Sequence, residues 1–218
     1  MSRRRLYLMR HADVAYFDAD GKPVRPQDVP LTPTGIEQAR AAANALAGIR
    51  FDRVVTSGLP RAVETARLVA PGLEPESLPE LREIEGGRLR DIPPEQLEEA
   101  FLGVFRSTVP EDRAFLGGET IGELLDRVLP ALEGLVADGS WDVLLAVLHG
   151  AVNRAILSYA LTGRRSFFGG FEQAPGCINV LDVGETWIVR AVNVAPYDLA
   201  HVSERQTTME RLYSQYRS

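Results

Sequence analysis

A chain of 218 residues, 45% hydrophobic and 25% charged, has the balance of a soluble globular protein and enough apolar side chain to bury a core without staples. Its net charge of −6 and pI near 5.2 exclude a general nucleic-acid binder, which needs a basic footprint, so an anion site must be a local concentration of positive charge. The one cysteine, Cys177, excludes an internal disulfide, and no apolar run approaches a membrane span; a cytoplasmic protein with no membrane partner is expected.

The run at 6–9 is short and apolar, too short for a signal-peptide core, and predicts a buried strand ending on Arg10-His11. Residues 12–31, with Asp, Gly and Pro, predict a loop. Thr32 is an N-cap candidate with Pro33 at the first helical position; Ile36, Ala39, Ala43 and Leu46 supply an apolar stripe, and Gly48 stops the helix. Arg53–Thr56 predicts a second strand and 59–70 a second helix, ended by Pro71-Gly72. The stretch 71–118 is rich in Pro, Gly and Glu, with a short helix expected within 95–106. A helix follows at 119–137, with Pro130 as a candidate kink. Val143–Leu148 is the strongest strand, a continuous apolar run suited to burial on both faces, and 151–161 is the helix after it. Ile178–Val183 and 187–194 predict a hairpin around Gly184-Glu185. The tail at 203–218 is polar and charged.

Strand–helix alternation of this kind predicts an α/β fold: a three-layer sandwich on a mostly parallel central sheet. Such sheets bind ligands beyond the carboxyl ends of their strands. Three predicted strands end in Arg10-His11, Thr56-Ser57 and His149-Gly150, and two of the chain's three histidines are among these residues. Arg61 lies near the start of the helix after the second strand. An arginine presents a planar fork that matches phosphate oxygens, and a helix start adds N–H donors and partial positive charge. Two arginines, two histidines and a helix start at one crevice describe a site for a tetrahedral dianion. Thr34 and Ser57 are candidates for hydroxyl contacts or for helix caps.

These residues sit in five sequence blocks. They are Leu8-Met9-Arg10-His11-Ala12; Leu31-Thr32-Pro33-Thr34-Gly35 with Gln38-Ala39; Thr56-Ser57-Gly58-Leu59-Pro60-Arg61-Ala62-Val63-Glu64-Thr65-Ala66; Leu81-Arg82-Glu83-Ile84-Glu85-Gly86-Gly87; and His149-Gly150-Ala151-Val152-Asn153-Arg154. In that order the set resembles the histidine phosphatase superfamily, the phosphoglycerate mutase-like family. The resemblance implies that His11 is a nucleophile that becomes a phosphohistidine. It implies that Arg10, Arg61, His149 and Gly150 surround the transferred phosphoryl group with His11, and that Glu83 gives the leaving oxygen its proton, with Glu85 the second choice. No cofactor and no metal is implied, and the partner is a small phosphorylated metabolite; a homodimer stays open.

Several positions depart from the family pattern. Ala12 and Ala151 replace glycines. Residues 12–17 lack the glutamate-serine pair and asparagine of the glycolytic mutases, and Arg88-Leu89-Arg90 stands where Trp-Glu-Gly is usual. These losses favour a phosphatase over a mutase. A mutase-type transfer and a non-catalytic phosphate-binding module are the alternatives; a metal-dependent hydrolase lacks the clustered ligands. The expected organisation is one domain over 1–218, with a variable insert at about 84–118 and a polar tail at about 203–218. Arg88, Arg90, Phe101, Phe105 and Arg106 of the insert are candidates for the pocket mouth.

Overall fold

The computed structural model describes residues 3–18, 20, 22, 24–25, 27–202 and 205–217. Parts of the predicted 12–31 loop and of the 203–218 tail lie outside the described residues. Six strands form one sheet: β1 (Arg4–Arg10), β2 (Arg53–Thr56), β3 (Glu76–Ser77), β4 (Val143–Leu148), β5 (Ile178–Val183) and β6 (Ile188–Val194), in the order β3-β2-β4-β1-β5-β6. Strands β1 to β4 run parallel. The hairpin partners β5 and β6 turn the other edge antiparallel.

Alternation along the central strands builds the two faces. Leu6 and Leu8 of β1 pack with Leu144, Ala146 and Leu148 of β4 in one core cluster. That cluster is covered by α4 (Ile121–Ala137) and α5 (Gly150–Thr162). Tyr7, Met9, Leu145 and Val147 point the other way, against α1 (Pro33–Ala45) and α2 (Pro60–Val69). A side chain with no exposure, such as Leu8 or Leu145, contributes on the order of 1.5–3 kcal/mol of transfer free energy. The result is the expected helix–sheet–helix sandwich.

Local sequence sets the helix starts. Thr32 caps α1, its Oγ accepting from the Gly35 backbone, with Pro33 first in the helix. The buried face of α1 is Gly35, Gln38, Ala39 and Ala42, rotated slightly from the predicted stripe. Small residues are selected there because Gly35 lies against the loop backbone: a Cβ on it would come within 2.2 Å of the Asp13 carbonyl oxygen. Thr120 and Glu123 form a reciprocal capping box at the start of α4, and that helix continues past Pro130. The insert holds α3 (Leu97–Leu102), and the chain closes with α6 (Thr208–Arg217). These two helices pack together, the Phe101 ring lying 5.5 Å from Tyr213 and 5.6 Å from Tyr216. Among the described residues, no helix is long and apolar enough to cross a membrane.

Candidate active site

The register of β1 and β4 brings the two histidines together. Arg10 lies opposite Leu148, and the His11 amide donates to the Leu148 carbonyl at 2.9 Å. His11 and His149 are therefore the next residues on neighbouring parallel strands, with ring centroids 5.1 Å apart. Both follow the alternation of Met9 and Val147, toward α2. Arg61 stands in the first turn of α2 on that face. Its Nε donates to His11 Nε2 at 3.1 Å, and its Nη2 lies 3.4 Å from His149 Nδ1. The turn into α2 needs Gly58: its φ is +81°, and a Cβ there would lie 2.2 Å from Ser77 Oγ. Thr65 locks this corner, accepting from the Ala12 amide and donating to the Arg61 carbonyl.

All five predicted phosphate-site residues are buried: Arg10 is 7% exposed, His11 1%, Arg61 2% and His149 0%, and Gly150 is buried at the start of α5. Burial together with the Arg61 and Arg10 charges holds the His11 imidazole well below its ordinary pKa. His149 is likewise depressed, by burial and then by His11, Arg61 and Arg10. Both rings are neutral at pH 7, and their partners assign the tautomers. His11 Nδ1 lies 2.7 Å from the Ala12 carbonyl, an acceptor, so Nδ1 carries the proton and Nε2 keeps its lone pair toward Arg61. With Arg61 donating to His149 Nδ1, His149 Nε2–H donates to Ser57 Oγ at 2.7 Å. Of the two candidate hydroxyls, Ser57 is buried on the site and Thr34 is exposed.

Arg10 follows the opposite alternation, toward α5. Its Nη1 donates to the Gln173 carbonyl at 2.6 Å and to Thr208 Oγ1 at 2.9 Å. Its Nε is buried without a hydrogen-bond partner among the described residues and faces Gly150, where an added Cβ would lie 3.8 Å away. The same point is 3.4 Å from Glu83 Oε2. The Glu83 carboxylate accepts from the Ala151 amide at 3.1 Å and from the Ile84 amide at 3.0 Å. The Glu83 side chain thus caps the start of α5. Glu80 and Glu85 are exposed, so Glu83 is the loop glutamate that the structure brings beside Gly150 and Arg10. Arg154 reaches the same corner, donating to the Gly150 and Gly169 carbonyls and pairing with Glu172 at 3.3 Å. Burial lowers its pKa to about 10, which leaves it charged at neutral pH. Among the described residues, no group of three or more His, Cys, Asp or Glu side chains is placed to hold a metal.

A cavity of about 220 Å³ opens on Arg10 and His11. Its walls are residues 12–17 with Thr32 and Pro175 on one side, and Thr208, Arg211, Leu212 and Gln215 of α6 on the other. None of the insert residues expected at the mouth, Arg88 included, lines this cavity. Arg106 pairs with Glu98, and Arg90 lies beside Asp91. Phe101 is buried under α6, and Phe105 lies below the Arg154 guanidinium and against Phe115. The insert supports the wall, and the C-terminal helix forms it.

A model of the histidine phosphatase superfamily (branch 1) matches residues 6–194. The chain belongs to that superfamily. It is 32% identical over 194 residues to the adenosylcobalamin/alpha-ribazole phosphatase of Salmonella typhimurium, covering 83% of this chain and 91% of that one. A putative alpha-ribazole-5'-P phosphatase from Escherichia coli superposes with a TM-score of 0.66 at 27% identity, over 87% of this chain and 96% of the other. A mycobacterial glucosyl-3-phosphoglycerate phosphatase, in a structure with VO3, gives 0.70 at 25% identity, over 87% and 98%. The fold is of the phosphoglycerate mutase-like type, and the activity is that of a phosphoric monoester hydrolase.

For this superfamily member, the signals for His11, Arg10, Arg61 and His149 lay at strand ends and a helix start. Thr208, Glu172 and Gln173 carried no such signal: each meets the site through chain segments without a motif. Only Arg154, inside the last block, could have been suspected.

Proposed function

We propose that the protein hydrolyses a small phosphate monoester through a phosphohistidine on His11. The observation that carries this reading is the state of the His11 ring: Nδ1–H is held by the Ala12 carbonyl, leaving the Nε2 lone pair beside Arg61. A neutral imidazole with one fixed lone pair is a competent nucleophile at neutral pH. In the first step Nε2 forms a bond to phosphorus, and the bond from phosphorus to the ester oxygen breaks. Arg61, Arg10, His149 and the start of α5 at Gly150 stabilise the charge on the phosphoryl oxygens, the largest part of catalysis for such a loose transfer. The leaving alkoxide takes a proton from Glu83. In the second step a water attacks phosphorus, gives its proton back to Glu83 and breaks the bond to His11. The products are the alcohol and inorganic phosphate.

The relatives' names support a small phosphorylated substrate, and the 220 Å³ cavity beside His11 is the place for the alcohol portion. Reaction with a ³²P-labelled ester followed by quenching tests the mechanism. The expected label is stable in base and labile in acid, and absent from His11→Ala. Turnover at the normal rate in a folded His11→Ala protein would rule it out. Arginines neutralise the phosphate in this scheme, so activity is expected to survive a chelator.

A further inference from the structure

Thr208 is the first residue of α6 and lies 198 positions from Arg10, beyond residue 194 where the family match ends. Its hydroxyl accepts from Arg10 Nη1 at 2.9 Å and donates toward Glu172 Oε1 at 3.5 Å. The Thr208 amide also points to Glu172 Oε1, at 3.4 Å, and the other Glu172 oxygen pairs with Arg154. Arg10 Nη1 is thus held from two sides, by Thr208 and by the Gln173 carbonyl at 2.6 Å. A guanidinium is a rigid plane, so fixing one nitrogen fixes the direction of the others. The nitrogen so aimed is Nε, buried, without a partner among the described residues, and facing Gly150 at the start of α5.

We propose that Thr208 is a positioning residue: its hydroxyl sets the Arg10 guanidinium against the phosphoryl group, which makes the C-terminal helix a working part of the phosphate site. The proposal rests on the phosphatase reading above. Docking of α6 alone does not require this contact, because Phe101 already packs on Tyr213 and Tyr216 farther along the helix. What the aromatic contact leaves undetermined is the rotation of the Arg10 side chain, which Thr208 fixes together with the Gln173 carbonyl.

The test compares Thr208→Val, which keeps the shape and removes the hydroxyl, with Thr208→Ser, which keeps the hydroxyl. Inorganic phosphate is the probe, titrated by calorimetry into the full chain, and kcat/KM is measured for a nitrophenyl and an alkyl phosphate. Thr208→Val is expected to weaken phosphate binding about tenfold, the scale of one lost charge-assisted hydrogen bond. It is expected to lower kcat/KM by a similar factor for both esters, because the phosphoryl group is common to them. Thr208→Ser is expected to behave as the parent. Parent-like phosphate affinity in Thr208→Val, or an equal loss in Thr208→Ser, would overturn the positioning role. Phosphate binding needs no turnover, so a protein that hydrolyses no ester but loses phosphate affinity in Thr208→Val sinks the phosphatase reading and leaves this one standing.

Discussion

Arg61 donates its Nε–H to Nε2 of His11 at 3.1 Å, the nitrogen that the proposed mechanism uses to attack phosphorus. In that proposed mechanism one side chain orients the nucleophile and meets the group it attacks. When a phosphoryl group arrives, the fork has to turn its donors to the phosphate oxygens and release the lone pair. Arg61→Ala should depress kcat by about 10²–10³, the cost of one lost transition-state donor. The loss should be similar for alkyl and nitrophenyl phosphates. Arg61→Lys should rescue little, since a point charge cannot serve both histidines and the phosphate. Steady-state kinetics on the two substrates would show it; full activity in Arg61→Lys would remove the fork from the mechanism.

Glu83 should behave differently. An alkyl phosphate releases a strongly basic alkoxide that needs a proton, whereas nitrophenolate leaves readily without one. Glu83→Gln should cut alkyl phosphate turnover by about 10²–10⁴ and harm nitrophenyl phosphate much less. Equal losses would assign Glu83 to capping α5, through its bond to Ala151, and Glu85→Gln would then be the next variant to measure.

The paired histidines predict how stability responds to acid. Both imidazoles are held neutral in the fold, with pKa values well below 6.5, while in the unfolded chain each gains a proton near pH 6.5. Below that pH the unfolded state binds more protons, so stability present above pH 6.5 is lost as pH falls toward the folded values. The slope approaches about 1.4 kcal/mol per pH unit for each histidine. Urea unfolding at pH 7.5, 6.5 and 5.5 should show a steepening loss, flattened by about one proton in His149→Gln. Parallel curves for parent and variant would contradict the neutral assignment.

Gly35 carries a prediction about the loop. A Cβ on it would come within 2.2 Å of the Asp13 carbonyl oxygen, and backbone cannot yield as a side-chain tip would. Gly35→Ala should cost about 1–3 kcal/mol and displace the 12–17 wall of the cavity, raising KM more than it lowers kcat. Thermal unfolding and kinetics measure both; an unchanged melting temperature would show that the loop relaxes freely.

The sheet and the meeting of Arg10, His11, Arg61 and His149 were legible because each signal was local. An apolar run ending in a polar pair marks a strand and its carboxyl end together, as at Arg10-His11 and His149-Gly150. Glu83 could be separated from Glu80 and Glu85 only by resemblance, since a loop without periodicity does not say which side chain turns inward. β3 has two residues, too few for a pattern. Residues 12–17 of the first loop do line the cavity, whereas the insert residues expected there do not, for a physical reason. Phe101 and Phe105 are the kind of side chain that lines a pocket, yet here they carry α6 and Arg154. The wall facing residues 12–17 comes from Thr208, Arg211, Leu212 and Gln215, in a polar, charged tail that carries no motif. Their place follows from contacts nearly two hundred residues apart.

The adjacency of β1 and β4 also bears on how the active molecule comes into being. His11 and His149 follow two hydrogen-bonded neighbouring strands but are distant in the chain, and each depends on side-chain alternation to face Arg61. A slip of one residue in the pairing of these strands would send a histidine to the opposite layer and a leucine into its place. It would also leave most of the apolar mass still clustered. Misregistered molecules would then be compact but catalytically dead. During refolding, the return of phosphatase activity should therefore lag behind the return of helical circular dichroism, since long-range parallel pairing is slow to form.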